Sequence, residues 1–219
     1  MVASYLPKIS IIIPCYFANE DFILMTETCL DSLMPIDAEI IVVDDGSPMK
    51  AVLDPTVKQI VRTTNGGYAK AVNTGLKAAT GDVLIISNND IDFIDPFWVI
   101  HITNPLLEGY DIVSIRTTDS DGWEVDDKIT DNDKFGSLWA MKREVYDVLG
   151  GLDETYGKGY FEDLDYHRRA EDAAFKIGKN HAGLVHHYGK TTFKELDPDD
   201  RAFAEARRKF IDRWGFDRL

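Results

Sequence analysis

The chain has 219 residues, of which 44% are apolar, and these figures fit one globular domain with a sizeable core. The same composition excludes a disordered chain. The formal net charge of −14 at pH 7 argues against nucleic acid and anionic membrane surfaces as partners, because both are bound through basic patches.

Strands and helices alternate in the first half of the chain. Continuous apolar, β-branched runs predict strands buried on both faces at residues 8–14, 39–43 and 83–87, and two further strands are predicted at 59–62 and 111–115. Helices are predicted between them at residues 19–34, 68–80 and 96–108. We expect Gly81 to cap the end of the second helix and Asp95 to cap the start of the third. This order predicts a mainly parallel sheet covered by helices on both sides.

Three polar segments follow ends of these strands, at residues 15–20, 44–47 and 88–92. Ligands of parallel sheets bind at the carboxyl ends of the strands, so we expect the three segments to meet in one crevice. Asp44 and Asp45 could bind a ribose or a base edge, and the alternative is a turn with an Asx hydrogen bond.

The second half of the chain is less regular. Residues 117–134 are polar and predict a mobile loop or a short hairpin, and apolar runs predict strands at 135–141 and 182–187. A helix is predicted to start at Asp163. Its inward stripe, which we expect Asp163 to share, comprises Tyr166, His167, Ala170 and Ala174. The tail at 198–214 predicts an amphipathic helix with an apolar stripe of Phe203, Ala206, Phe210 and Trp214.

Two acidic segments carry the candidate chemistry. Asp90, in the sequence NND directly after a buried strand, can reach a hard divalent cation that also takes diphosphate oxygens, although a loop aspartate can equally cap a turn. The segment FEDLDYHRR (161–169) supplies Glu162, Asp163 and Asp165. One segment can hold a metal ion and the other a base, which together suit the transfer of a group from a phosphate leaving group.

Other polar residues are open to two interpretations. His186 and His187 end a strand side by side, so they point to opposite faces and only one can readily reach the crevice. The N–H groups of Asn65-Gly66-Gly67 could bind a phosphate at a helix N-terminus, or the segment could be a plain turn. Lys70 could add positive charge there or be solvated.

Four segments in order resemble family 2 glycosyltransferases of the GT-A fold over nearly the whole chain. They are SIIIPCYFANE (10–20), EIIVVDDGSP (39–48), NGGYAKAVNTGLKAATGDVLIISNND (65–90) and GSLWAMKREVYDVLGGLDETYGKGYFEDLDYHRRA (136–170). The resemblance implies an α/β, Rossmann-like, mainly parallel sheet flanked by helices, with an amphipathic C-terminal helix. It also implies a single domain over 1–219, with a nucleotide-sugar-binding half at about 1–115 and an acceptor half at about 116–219.

The resemblance also implies roles for individual residues. Asp163 should be the general base, with Glu162 beside it in the family's "ED" motif. Asp90 should bind Mn²⁺ or Mg²⁺, with Asn88 and His186 as further ligands and His187 as the alternative to His186. The residues expected to hold the nucleotide-sugar donor are Pro14, Tyr16, Glu20, Asp44, Asp45, Asn65, Gly67, Lys70, Asn73 and Asn89.

Asn88 departs from the family pattern, which has aspartate at the first position of its DXD motif. An amide oxygen can coordinate a metal ion but adds no charge. The NND sequence resembles that of rhamnosyl- and galactofuranosyltransferases, which slightly favours those donors.

The implied activity is inverting transfer of a sugar, possibly rhamnose, from a UDP- or dTDP-sugar to a hydroxyl of a glycan, lipid-linked or protein acceptor. One alternative is a sugar-phosphate nucleotidyltransferase, but PCYFANE lacks the glycine-rich basic loop expected after the first strand. Another is a nucleotide-sugar-binding module that has lost catalysis, which only Asn88 supports. The sequence has no signal-like or membrane-spanning apolar run, which predicts a cytoplasmic protein, and it leaves the oligomeric state open.

Overall fold

A computed structural model describes residues 7–33, 36–118, 128–132, 135–189 and 199–215 of the chain. Nine strands within these ranges form one sheet. They are β1 (Ile9–Cys15), β2 (Glu39–Asp44), β3 (Lys58–Val61), β4 (Val83–Ser87), β5 (Ile91–Asp92), β6 (Ile112–Thr118), β7 (Ile129–Asp131), β8 (Leu138–Lys142) and β9 (Ile177–His187).

The sheet has the order β3-β2-β1-β4-β8-β6-β9-β5, and β7 pairs with β9. The first four strands are parallel, and β8 is antiparallel to both β4 and β6. Because β6 therefore runs with β4 and is parallel to β9, six strands share one direction. The predicted mainly parallel sheet is confirmed. The register pairs Cys15 with Asp44, so β1 and β2 end level with each other.

Six α-helices lie in the described residues, with a short 3₁₀ helix at Glu154–Tyr156. They are α1 (Glu20–Leu33), α2 (Tyr68–Ala78), α3 (Trp98–Leu107), α4 (Arg143–Leu149), α5 (Glu162–Asp172) and α6 (Arg201–Trp214). None of these described helices is both long enough and apolar enough to cross a membrane.

The sheet separates two apolar clusters. Alternate residues of β1 point into different clusters: Ile11 and Ile13 join the side chains of α1 and α3, whereas Ile12 joins those of α2, α4 and α5. Burial on both faces explains why the central strands are continuous apolar runs. A third cluster joins α6 to the 3₁₀ helix and to the start of α5.

Two predicted helix caps are wrong. The helix α2 ends at Ala78, and its C-cap is Ala79, two residues before the predicted cap Gly81. Gly81 instead passes close to the start of β1, where an added Cβ would lie 2.6 Å from the Ser10 nitrogen. The helix α3 begins at Trp98, because the Asp95 carboxylate accepts a hydrogen bond from the Phe97 N–H and forms a turn before the helix.

The second half differs from the sequence-based expectations at four places. The polar segment 117–134 contains β7, which pairs with β9, while its residues 119–127, 133 and 134 lie outside the described ranges. The strand predicted at 182–187 starts earlier, at Ile177, and the one predicted at 135–141 starts at Leu138. Ala174 lies beyond the end of α5, is exposed and has a φ of +61°, so it is not part of the inward stripe.

Candidate active site

The three predicted polar segments meet at one edge of the sheet. The Asp45 N–H donates to the Cys15 carbonyl at 2.9 Å, and the Phe17 N–H donates to the Ser47 hydroxyl at 2.7 Å. Burial raises the pKa of the Cys15 thiol, and the nearby Asp44 and Asp90 carboxylates raise it further. The ends of β1, β2 and β4 therefore form the expected crevice.

Asp44 is buried and folds back on its own turn. Its Oδ1 accepts hydrogen bonds from both the backbone N–H, at 2.9 Å, and the hydroxyl of Ser47. This is the Asx turn that was the alternative to a ligand contact.

Asp45 binds the segment that precedes α2. Its carboxylate accepts from the N–H of Gly66 at 3.0 Å and of Gly67 at 2.7 Å, and its Oδ1 lies 2.7 Å from Arg62 Nε. The N–H groups that could have bound a phosphate therefore donate to a protein carboxylate. The structure contradicts the prediction that Gly67 presents its N–H to the donor, because Asp45 occupies that position.

Asn73 also has its polar groups satisfied within the protein. Its amide accepts from the Leu152 N–H at 2.8 Å and donates to the Leu152 carbonyl at 2.9 Å and to Glu154 at 3.0 Å. Asn73 therefore joins α2 to the 3₁₀ helix and is not placed to contact a donor. Asn65 likewise accepts from Lys158 Nζ at 2.6 Å.

The backbone of residues 157–158 crosses the N-terminus of α2. The Tyr68 N–H donates to the Lys158 carbonyl at 3.0 Å. An added Cβ on Gly67, whose φ is +93°, would lie 2.2 Å from the Gly157 carbonyl oxygen. Only glycine fits at this crossing.

The first of the two acidic segments contributes Asp90, which is 7% exposed. Its Oδ1 lies 3.1 Å from Nε2 of His187, and the Asn88 amide nitrogen lies 3.5 Å from the same imidazole. His186 pairs with Asp92 across the ladder, and its ring meets the Tyr188 ring edge to face, with the centroids 4.5 Å apart. The prediction that chose His186 is therefore corrected to His187, because adjacent strand residues point to opposite faces.

The groups around Asp90 fit a divalent cation. The buried Oδ1 accepts no hydrogen bond from any residue that the structure describes. No cluster of three His, Cys, Asp or Glu side chains suited to a metal ion occurs in the described ranges. Magnesium sites with one or two carboxylates are commonly completed by water and substrate phosphates.

The second acidic segment, FEDLDYHRR, lies at the start of α5. Glu162 is 5% exposed, and its Oε2 accepts no hydrogen bond from the described part of the chain. Burial, and then the neighbouring Asp163 carboxylate, raise the pKa of Glu162 to about 8. Asp163 is only half-buried, so the expectation that it shares the inward stripe is wrong; Glu162 and Asp165 occupy that face.

Tyr68 lies near both acidic groups. Burial raises the pKa of its hydroxyl, and the carboxylates of Glu162, Asp163 and Asp90 raise it further. The sequence indicated Tyr68 only as part of the apolar stripe of α2. Its position beside the acidic residues depends on contacts between distant segments, which no local pattern reveals.

The remaining predicted donor-binding residues are placed around the crevice to different degrees. Pro14 is buried in β1 opposite Val43, whereas Tyr16 and Lys70 are half-buried and Glu20 is exposed in the first turn of α1. Asn89 is buried and donates to the Thr26 hydroxyl at 2.8 Å. Donor contact by these residues stays a prediction.

Replacing Asp45 by asparagine should lower the free energy of unfolding by about 2 kcal/mol, because a neutral amide leaves Arg62 unpaired and cannot accept from both glycine N–H groups equally well. Urea denaturation measures the change. Asp54→Asn, at an exposed turn, is the control and should leave the free energy of unfolding close to that of wild type. Unchanged stability in Asp45→Asn would contradict this structural role.

The raised pKa of Glu162 predicts how stability depends on pH. The folded protein retains a proton up to about pH 8 that the unfolded chain releases near the ordinary value of 4.5. Stability should therefore fall as pH rises between these values, by at most about 1.4 kcal/mol per pH unit for one group. Urea unfolding at several pH values in this range gives the free energy of unfolding as a function of pH. This dependence on pH should be weaker for Glu162→Gln than for wild type. An equal dependence in both proteins would count against the raised pKa.

Comparison with known proteins gives the family. The profile described as Glycosyl transferase family 2 matches residues 10–184. The glycosyltransferase EpsJ of Bacillus subtilis (strain 168) is 37% identical over 95 residues, covering 39% of this chain and 26% of EpsJ. The bactoprenol glucosyl transferase of Shigella phage SfV is 29% identical over 173 residues, covering 67% of this chain and 56% of that protein. The chain thus spans between about a quarter and just over half of these relatives.

Two solved structures share the fold. One is the mannosyltransferase PcManGT from Pyrobaculum calidifontis in complex with GDP-Man and Mn²⁺. It has a TM-score of 0.70 at 20% identity, and the alignment covers 95% of this chain and 65% of the PcManGT chain. The other is S. aureus TarS 1–349, which has a TM-score of 0.64 at 19% identity. That alignment covers 94% of this chain and 72% of the TarS chain. The expected α/β GT-A fold is confirmed by this likeness. The family match over residues 10–184 shows that the chain belongs to glycosyl transferase family 2.

Proposed function

We propose that the chain transfers a sugar from a nucleotide-diphospho-sugar to an acceptor hydroxyl with inversion at the anomeric carbon. The observation that carries the proposal is that two acidic groups lie near Tyr68, with the Glu162–Asp163 pair as one and Asp90 as the other. Each contains a buried carboxylate oxygen that accepts no hydrogen bond from the described residues. Buried polar atoms are normally satisfied, so these two suit a ligand.

Asp163 is the proposed general base. It is more exposed than Glu162, so an acceptor hydroxyl can reach it. The Asp163 carboxylate takes the hydroxyl proton as the acceptor oxygen attacks the anomeric carbon. The bond from that carbon to the diphosphate breaks, and the nucleoside diphosphate leaves with the electron pair.

Glu162 has a supporting role in this proposal. Its raised pKa keeps the side chain protonated near neutral pH, which limits the negative charge beside Asp163. With Glu162 holding its own proton, Asp163 is the group that takes the acceptor proton in this proposal.

Asp90 and His187, with the amide oxygen of Asn88, are the residues that would hold the diphosphate end of the donor through a Mn²⁺ or Mg²⁺ ion. When bound, such an ion offsets the charge that develops on the leaving diphosphate. The buried Asp90 carboxylate beside His187 supports this role, with Oδ1 and Nε2 3.1 Å apart. Because Asn88 contributes no charge, we expect weaker metal binding than a DXD pair of aspartates would give.

The proposed donor is a UDP- or dTDP-sugar, and the NND sequence favours rhamnose or galactofuranose. GDP-sugars are kept in the test, because PcManGT was solved with GDP-Man. The proposed acceptor is a hydroxyl of a glycan, of a protein or of a lipid-linked molecule. The lipid-linked class is favoured by relatives named bactoprenol glucosyl transferase and dolichol-phosphate mannosyltransferase.

A thermal-shift screen of UDP, dTDP, GDP and their sugars, with and without Mn²⁺, tests donor binding. We expect one nucleotide class to raise the melting temperature only when metal is present. Asp90→Ala should abolish that metal-dependent rise. Metal-independent binding in both proteins would contradict the assignment of Asp90, and no shift with any nucleotide would favour the catalytically inactive module or a donor site completed only by an acceptor or partner.

Asp163→Asn tests the base. The variant should lose about 10²–10⁴-fold in turnover while donor binding survives, because a positioned base typically contributes that much. Turnover is measured as transfer, or as slow hydrolysis of the donor identified in the screen. The control is Asp147→Asn, at an exposed position on α4, and it should leave turnover unchanged. Wild-type turnover in Asp163→Asn would remove it from the base role.

A further inference from the structure

The start of α5 is held against α6 by both aromatic and polar contacts. We infer that the C-terminal helix α6 positions the Glu162–Asp163 pair for catalysis, and that Trp214 is a positioning residue. This inference rests on the proposed function, since it assigns α6 a part in the same reaction. None of the α6 residues discussed below is among those expected to touch the donor.

The backbone just before the pair is strained. Tyr160 and Phe161 are consecutive non-glycine residues with φ values of +72° and +66°. Such left-handed residues cost of order 1–3 kcal/mol each and persist only where surrounding packing enforces them. Phe161 is the residue directly before the first turn of α5, so its conformation sets where Glu162 and Asp163 point.

Aromatic side chains of α6 supply the packing that enforces this backbone. The Phe203 ring lies 5.2 Å from the Tyr160 ring and 5.4 Å from the Phe161 ring, measured between centroids. The fully buried Phe210 ring lies 5.5 Å from that of Phe161. Both residues with left-handed backbone conformations therefore pack their side chains against α6.

A buried carboxylate adds a polar connection two residues after the pair. Asp165 is 0% exposed. Its Oδ1 accepts from Trp214 Nε1 at 2.9 Å and lies 2.9 Å from Arg213, and its Oδ2 accepts from Arg169 at 2.9 Å. A buried carboxylate needs several donors, and α6 supplies two of them.

The same end of α6 also holds the segment that leads to the strained residues. Arg213 Nη1 donates to Asp153 Oδ2 at 2.9 Å, and Lys209 donates to the Thr155 carbonyl. Tyr156, in the 3₁₀ helix, donates to Asp165 at 3.3 Å. Residues before and after the strained pair Tyr160–Phe161 therefore both contact α6. Loosening these contacts should displace Glu162 and Asp163.

Trp214→Phe tests the inference, because it keeps an aromatic ring and removes the hydrogen bond to Asp165. We expect kcat to fall about 10- to 100-fold, since small displacements of a catalytic group carry penalties of that size. The KM for the donor should stay within about twofold, because donor-side residues lie at the ends of β1, β2 and β4. The pH–rate profile should shift with the altered surroundings of Glu162 and Asp163.

Arg201→Gln is the matched control. It removes an exposed ion pair with Asp199 at the opposite end of α6, and it should leave kcat, KM and the pH profile unchanged. Phe203→Leu is a second variant at a half-exposed position, which should fold even if Trp214→Phe does not. It removes the aromatic contacts to Tyr160 and Phe161 and should also lower kcat.

Hydrogen exchange of backbone amides at 160–164 gives a readout that needs no activity. Exchange there should be faster in Trp214→Phe and Phe203→Leu than in wild type or Arg201→Gln. Wild-type kcat and wild-type exchange in both variants would overturn the inference. If wild-type protein transfers and hydrolyses no donor, the proposed function fails instead, and unchanged exchange in both variants would still refute the positioning role on its own.

Discussion

The common direction of the parallel strands decides where the chemistry of this protein lies. Because β1, β2 and β4 run side by side in one direction, the polar segments that follow them reach the same edge of the sheet. The apolar runs that form these strands are buried on both faces, which leaves the strand ends as the natural place for polar residues. The antiparallel strand β8 and the long strand β9 then bring the second half of the chain to that edge.

Hydrogen bonding divides the acidic residues of this edge into two groups. Asp44 and Asp45 have protein donors for their carboxylates and hold the shape of the crevice. Glu162 and Asp90 each keep a buried oxygen that accepts no hydrogen bond from the described residues. An unsatisfied buried oxygen is unfavourable in the free protein, and it gains most when a cation, a hydroxyl or a proton arrives. The second group is therefore the better guide to chemistry.

The sequence predicted the sheet and most helices because their signals are local: apolar runs, helical periodicity and turn residues. It also predicted which segments meet, since parallel strands end together. It could not decide between His186 and His187, because a shift of one residue exchanges the two faces of a strand. Nor could it show that Asn73 binds a backbone segment 79 residues away, or that Tyr68 lies near both acidic groups, since both depend on long-range packing.

The crossing of residues 157–158 over the start of α2 constrains how this protein can change. Gly67 and Gly157 approach so closely that a side chain at position 67 would require the other segment to move. The two segments are 90 residues apart in the sequence, yet neither can be lengthened or enlarged alone. Among relatives, substitutions at position 67 should therefore appear together with altered lengths or residues around 157, as an evolutionary coupling that records this contact.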